Sequence, residues 1–120
     1  MTVKKVLVVD DSATDLKNLE QICSGAGYSV ITASCGTEAV AKAKSEMPDA
    51  VLLDVIMNDM NGFQVCRAIT SDAATKDIAV VLVSGKSEKT DRIWGEQQGA
   101  KGYISKPYTP EQILEQLQRL

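Results

Sequence analysis

Three continuous apolar runs constrain the fold of this chain more than any other feature. They cover Val6–Val9, Val51–Leu53 and Val80–Val83. Each run is short, rich in β-branched side chains, and followed at once by a polar residue. Strands buried on both faces have this composition, and burial on both faces is typical of a parallel sheet covered by helices.

Weaker strands and helical segments fill the intervals between these runs. Ser29–Ala33 and Gly102–Ser105 have the mixed composition that suits strands at the edges of a sheet. Apolar residues recur at helical spacing in the other intervals, although the segment 89–98 is only weakly amphipathic. The last helix has the clearest start, with Thr109 as its N-cap and Pro110 at its first position. The pattern predicts an α/β fold of five βα repeats, a parallel sheet with helices on both faces.

Composition and charge exclude several classes of protein. A chain of 120 residues suits one domain, and its net charge of -3 with scattered basic residues argues against nucleic-acid binding. The apolar run near the N-terminus is too short for a signal peptide or a membrane span. Cys23, Cys35 and Cys66 form no close pair, so we expect reduced thiols and a cytoplasmic location. The absence of histidine excludes histidine acid–base catalysis, Ser-His-Asp chemistry and most zinc sites.

Polar residues follow the predicted strands, where the carboxyl ends of parallel strands form a ligand site. The strand ends carry Asp10-Asp11, Asp54, Ser84-Gly85 and Lys106-Pro107. Three gathered carboxylates repel one another unless a cation joins them, and an oxygen-only ligand set favours Mg²⁺ over zinc. A lysine and a serine hydroxyl beside them suit a phosphoryl group carried on a carboxylate.

These strand ends, together with the stretch 54–62, resemble the signature of response-regulator receiver domains. The resemblance covers the whole chain. It implies a (βα)5 flavodoxin-like three-layer sandwich whose five-stranded parallel sheet has the order 2-1-3-4-5. It also implies that residues 1–120 are a single receiver domain without an effector domain.

The resemblance assigns roles around Asp54, which it identifies as the phosphoacceptor. Asp10, Asp11 and Asp54 would hold Mg²⁺, together with the backbone carbonyl of Ile56. Ile56 is apolar where some fast-hydrolysing members of the family carry a polar side chain. We therefore predict that Ile56 impedes attack by water and lengthens the phosphorylated lifetime.

Three further residues match the family's phosphate-binding and switching positions. Ser84 would hydrogen-bond a phosphoryl oxygen, and Lys106 would pair with the phosphate. Tyr103 matches the aromatic residue that changes rotamer together with Ser84 on activation. The Lys106–Pro107 bond is usually cis in the family.

The resemblance implies a phosphorelay switch and not an enzyme. A histidine kinase of chemotaxis type would phosphorylate it, it would assist its own phosphotransfer and dephosphorylation, and it would then change its contacts with a downstream protein. Nothing in the sequence demands more than a monomer. The stretches 91–95 and 98–100 are similar to regulators of type IV pilus twitching motility.

Two positions depart from the family pattern, and two other functions fit parts of the sequence. Asn58 and Asn61 stand where the family often has Pro and Asp, which predicts a changed loop rigidity without loss of chemistry. A receiver that acts as a scaffold without phosphorylation is one alternative. An aspartyl phosphatase is another, but its two aspartates lie two residues apart after the first strand, whereas Asp10 and Asp11 are adjacent. Each strand-end residue alone also fits a helix cap, a turn or a solvated loop.

Overall fold

The structure of the protein is a computed structural model, and it describes residues 2–120. Within this range five strands alternate with five helices. In chain order they are β1 (Lys5–Val9), α1 (Ala13–Gly25), β2 (Ser29–Ala33), α2 (Gly36–Glu46), β3 (Ala50–Asp54), α3 (Gly62–Ser71), β4 (Ala79–Ser84), α4 (Lys89–Gln97), β5 (Gly102–Ser105) and α5 (Pro110–Gln118).

The strands form one parallel sheet with the order β2-β1-β3-β4-β5. This confirms the predicted α/β sandwich and its strand order. The central strands β1, β3 and β4 are the three apolar runs, and nearly every residue in them is buried. The two strands of mixed composition, β2 and β5, lie at the edges as expected.

Side chains alternate between the two faces of the sheet and build a separate core on each. Leu7, Val51 and Leu53 point toward the layer of α2 and α3. Val8 and Leu52 point toward α1 and α5 on the other face. All five are fully buried, and burying each such side chain contributes about 1.5–3 kcal/mol.

The helix ends agree with the signals in the sequence. The Ser12 side chain caps α1 by accepting from the backbone N–H of Asp15 at 3.4 Å. Thr109 and Gln112 form a reciprocal capping box at the start of α5. α2 ends at Met47, which adopts the left-handed conformation with φ of 47° directly before Pro48.

Helix α4 is the least buried of these helices. Of its nine residues, Gly95 alone is fully buried. Trp94 packs the edge of its ring against Phe63 of α3 at 6.5 Å between ring centroids, and 53% of the residue stays exposed. Segment 89–98 is therefore a mostly polar helix that rests on the domain with little apolar contact.

Across residues 2–120, none of the helices has the length and apolar composition needed to cross a membrane.

Candidate functional site

The carboxyl ends of four strands lie at the same end of the sheet, and they bring together the residues that the sequence predicted for the site. Asp10 follows β1, Asp54 ends β3, Ser84 ends β4 and Lys106 follows β5. The parallel register places Asp54 opposite Val83, one residue before Ser84. Because parallel strands expose their carboxyl ends on the same side, local sequence was sufficient to predict this convergence.

Three carboxylates form a compact acidic cluster at this carboxyl end of the sheet. One oxygen from each of Asp10, Asp11 and Asp54 lies within 4.8 Å of the others. Asp10 and Asp54 are buried, whereas Asp11 is exposed to solvent. The Asp10 Oδ1 atom accepts from the backbone N–H of Ser12 at 2.9 Å, which fixes that carboxylate at the start of α1. The cluster therefore has a buried floor and one open side.

Lys106 supplies the counter-charge to this cluster. Its Nζ lies 3.0 Å from Asp10 Oδ2 and 3.6 Å from Asp54 Oδ1. Burial, reinforced by the charge of Asp10 and opposed by Lys106, raises the pKa of Asp54 to about 6. Burial lowers the pKa of Lys106, but the hydrogen bond that Lys106 donates to Asp10 and the charge of Asp54 outweigh it and raise that pKa overall. One lysine thus leaves the cluster with excess negative charge.

Asp15 is a member of the site that the sequence prediction missed. Its Oδ2 lies 3.3 Å from Lys106 Nζ, on the first turn of α1. Asp10 and Asp15 therefore both compete with Asp54 for the same ammonium group. The available signal was its place one helical turn beyond Asp10, at the start of a helix that begins at the edge of the sheet.

The donor set fits a hard divalent cation. The cluster offers carboxylate oxygens and no nitrogen or sulfur ligand, and it holds more negative charge than Lys106 neutralises. Mg²⁺ prefers such oxygens and commonly binds through one or two carboxylates. Burial and, after it, the charge of Asp10 raise the pKa of Asp54, and a bound cation would favour the ionised carboxylate against both.

Ser84 and Tyr103 are adjacent beside the cluster. Ser84 is fully buried, and its Oγ accepts from the backbone N–H of Lys86 at 3.0 Å. The Tyr103 hydroxyl donates to the backbone carbonyl of Lys86. Burial raises the pKa of Tyr103, and the neighbouring Ser84 side chain acts in the opposite direction. The Arg92 guanidinium covers the Tyr103 ring at 5.4 Å from its centroid.

The loop 55–61 closes the site on the side of α3. The backbone N–H of Gly62 donates to the Val55 carbonyl at 2.7 Å, so the ends of the loop meet. A Cβ at Gly62 would lie 2.3 Å from the backbone oxygen of Asp54, and only glycine fits there. The backbone N–H of Ile56 faces the Asp54 carboxylate and lowers its pKa, while 63% of Ile56 is exposed. The Lys106–Pro107 bond is cis, as the family pattern predicts.

Fold and site together define an α/β protein with an acidic, lysine-containing site at the switch point of its sheet. The response regulator receiver domain family matches residues 6–118. The chain belongs to this family.

Several individual proteins are similar to this chain over most of its length. The chain is similar to Protein PilH of Pseudomonas aeruginosa, with 42% identity over 92% of this chain and 91% of PilH. It is also similar in structure to the chemotaxis protein CheY4 of Vibrio cholerae, with a TM-score of 0.92, 34% identity and 98% of both chains covered. CheY in a CheX–CheY–BeF3–Mg²⁺ complex from Borrelia burgdorferi has a TM-score of 0.90 and 32% identity, covering 95% of this chain and 86% of that one.

The chain also matches longer proteins over part of their length. It spans 43% of a probable transcriptional regulator of Guillardia theta and 45% of the regulatory protein PhoP of Bacillus subtilis. Receiver domains in general are phosphoacceptor switches that bind Mg²⁺ at an acidic pocket and contact kinases and downstream targets. The acidic cluster lies where such a pocket is expected.

Proposed function

We propose that this protein is a single-domain response regulator that accepts a phosphoryl group on Asp54. The observation that carries this proposal is the contact of Lys106 with both Asp10 and Asp54, beside an exposed Asp11. The match over 91% of PilH and 98% of CheY4 supports the receiver role.

The proposed reaction transfers a phosphoryl group from a phosphohistidine of a kinase. An Asp54 carboxylate oxygen attacks phosphorus, the P–O bond forms as the P–N bond breaks, and the histidine leaves and takes up a proton. Lys106 neutralises a phosphoryl oxygen, and Ser84 donates to another. Positioning and charge stabilisation supply most of the catalysis in phosphoryl transfer.

Asp10, Asp11, Asp54 and the Ile56 carbonyl are the groups that would hold Mg²⁺. When bound, the cation neutralises charge on the transferred group. Asp11 is the exposed carboxylate of the cluster, so it would be the first of the three to meet a hydrated ion.

Output would follow from the contact between Ser84 and Tyr103. A phosphoryl group on Asp54 draws the Ser84 hydroxyl toward it, which changes the surroundings of the neighbouring Tyr103 side chain, now held by the Lys86 carbonyl. Tyr103 lies under Arg92 of α4, so a change in the ring reaches the surface of the least buried helix. A downstream protein that reads α4 and β5 would sense the change.

The pathway is inferred from the relatives. Similarity to Protein PilH supports a role in chemotaxis-type control of type IV pilus motility, with a histidine kinase as phosphate donor. We propose a cytoplasmic monomer that assists its own phosphorylation and dephosphorylation and is not a classical enzyme.

Acetyl phosphate tests the proposal directly. With Mg²⁺, the protein should gain one phosphoryl group in a form that is stable to acid and labile to base, as measured by mass spectrometry. Asp54→Asn should gain none. Asp77→Asn, an exposed carboxylate just before β4 at the opposite end of that strand, is the matched control and should react normally.

Other outcomes separate the alternatives. A protein that gains no phosphoryl group would be a scaffold receiver, and one that hydrolyses many equivalents of substrate would be a phosphatase. A phosphoryl group that persists in Asp54→Asn would show that Asp54 is not the acceptor.

A further inference from the structure

Asp59 connects the loop after Asp54 to the start of helix α2. Its Oδ1 accepts from the backbone N–H of Gly36 at 2.9 Å. Its Oδ2 accepts from the backbone N–H and the hydroxyl of Thr37, at 2.9 and 2.8 Å. These hydrogen bonds lower the pKa of Asp59, so its carboxylate is ionised at neutral pH. A distant loop thus supplies the acceptor at the start of α2.

The first turn of α2 receives no capping hydrogen bond from the side chain of its own N-cap residue. Cys35 is the N-cap residue of α2, and its side chain makes no capping hydrogen bond. The first N–H groups of a helix need an external acceptor, and a negative charge there is favoured by the helix dipole. Asp59 provides both from another part of the chain.

Close packing fixes the same loop against the same helix end. A Cβ placed on Gly36 would lie 2.7 Å from Met60 Cβ and 2.9 Å from Val65 Cγ2. Met60 also packs on the apolar core of that face. Two kinds of contact therefore hold the loop at α2. One is the set of hydrogen bonds that Asp59 accepts, and the other is the close packing of Met60 against Gly36.

The anchored loop is the one that carries Ile56. Its ends are joined by the Gly62 to Val55 hydrogen bond, so it has few ways to move independently of its anchor. Asp59 lies three residues after Ile56 in this short closed loop. Loss of the anchor would therefore loosen the position of the Ile56 carbonyl.

We propose that Asp59 is a positioning residue that sets the Mg²⁺ affinity of the site by holding the loop 55–61 against α2. The inference rests on the proposed function, because it takes the Ile56 carbonyl to be a ligand of the ion. Linkage requires the converse effect, so Mg²⁺ binding tightens the contact between Asp59 and α2.

Titration of the unphosphorylated protein with MgCl2, followed by amide chemical shifts in NMR spectra, tests this inference. Asp59→Ala should raise the Kd for Mg²⁺ by about tenfold, the lower end of the effect of residues that orient metal ligands. Glu38→Ala is the matched control, because Glu38 is another acidic residue at the start of α2, and it accepts from the backbone N–H of Ser34 at 2.7 Å without touching the loop. Its Kd should equal that of the wild-type protein.

Two further measurements exclude a loss of folding as the cause. Thr37→Val removes one of the hydrogen bonds of Asp59 and keeps both backbone contacts, so it should raise the Kd by less than Asp59→Ala. Hydrogen exchange at the amides of Gly36 and Thr37 should slow on addition of Mg²⁺ in the wild-type protein. It should not respond to Mg²⁺ in Asp59→Ala.

The outcomes distinguish this inference from the proposed function. An unchanged Kd in Asp59→Ala would overturn the role of Asp59 and leave the proposed function standing. An equal loss of affinity in Glu38→Ala would also overturn it, since general weakening of α2 would then explain the effect. Failure of the wild-type protein to bind Mg²⁺ would overturn both.

Discussion

At the scale of single residues, the site depends on how charge is distributed around Asp54. Burial and the neighbouring Asp10 oppose its ionisation, while Lys106 favours it. Lys106 is itself shared with Asp10 and Asp15. The resulting excess of negative charge destabilises the metal-free protein and favours a cation, so the same repulsion affects both stability and binding.

Asp54→Asn should stabilise the metal-free protein at neutral and alkaline pH. The native pKa of Asp54 is about 6, above its ordinary value of 3.8, so the folded state binds this proton more tightly than the unfolded state. The stability that Asp54 contributes is therefore present below pH 3.8 and lost as the pH rises through about 6. Above that pH, urea unfolding in EDTA should show Asp54→Asn more stable by about 1–3 kcal/mol. The difference should shrink toward about pH 4, and a constant difference would contradict this explanation.

Ile56→Asn should shorten the lifetime of phosphorylated Asp54. The exposed Ile56 side chain lies two residues beyond Asp54, where an apolar group impedes water and an amide can orient it. Release of inorganic phosphate from the phosphorylated protein measures the rate. Ile93→Asn makes the same change at an exposed isoleucine of α4 and should not alter it. An unchanged or slower rate in Ile56→Asn would contradict the prediction.

At the scale of elements, the loop between β3 and α3 places the first turn of α3 directly against the end of β3. Asn61 and Gln64 form a capping box that fixes where α3 begins. Asn61 stands where the family often has Asp, and the amide still serves as the cap. Gly62 then permits the first turn of α3 to lie directly against the backbone of Asp54. Local sequence predicts the cap, but the close approach follows only from the packing of α3 on the sheet.

Gly62→Ala should destabilise the protein, whereas Gly25→Ala should not. A Cβ at Gly62 would lie 2.3 Å from the Asp54 backbone oxygen and 2.7 Å from Val55 Cα, and neither atom can move freely. We expect a loss of about 1–3 kcal/mol from overpacking, measured by urea unfolding. Gly25 ends α1 with nothing within 4 Å of an added Cβ. The same substitution there should gain about 0.5–1 kcal/mol, and equal effects at the two sites would contradict the argument.

At the scale of the whole molecule, the carboxyl end of the sheet is where side chains from the strands and from the covering helices meet. The apolar central strands hold Asp10, Asp54 and Ser84 rigidly, and the less buried α4 lies beside them. Rigid strands position the proposed chemistry, while a helix with little buried surface is the element that can change its contacts at low cost.

Mg²⁺ should stabilise the folded protein as a whole. Ligands that bind only the native state raise the free energy of unfolding, by about 1.4 kcal/mol at a concentration ten times the Kd. Urea unfolding in MgCl2 should therefore have a higher midpoint than in EDTA with NaCl at matched ionic strength. Asp11→Asn should lose most of this gain, and its exposed position means that folding without metal should be unaffected. A gain of the same size in Asp11→Asn would indicate that the ion binds elsewhere.

The order of residues along the chain was enough to predict the sheet, its edge strands and the convergence of Asp10, Asp54 and Ser84 with Lys106. Strand burial follows from local composition, and the rule for parallel connections then brings the strand ends together. Two contacts became evident from the folded molecule alone. Asp15 contacts Lys106, and Asp59 contacts Thr37 of α2, 22 residues away along the chain. Such contacts depend on how a helix and a loop pack against the sheet, and no local pattern of residues encodes that geometry.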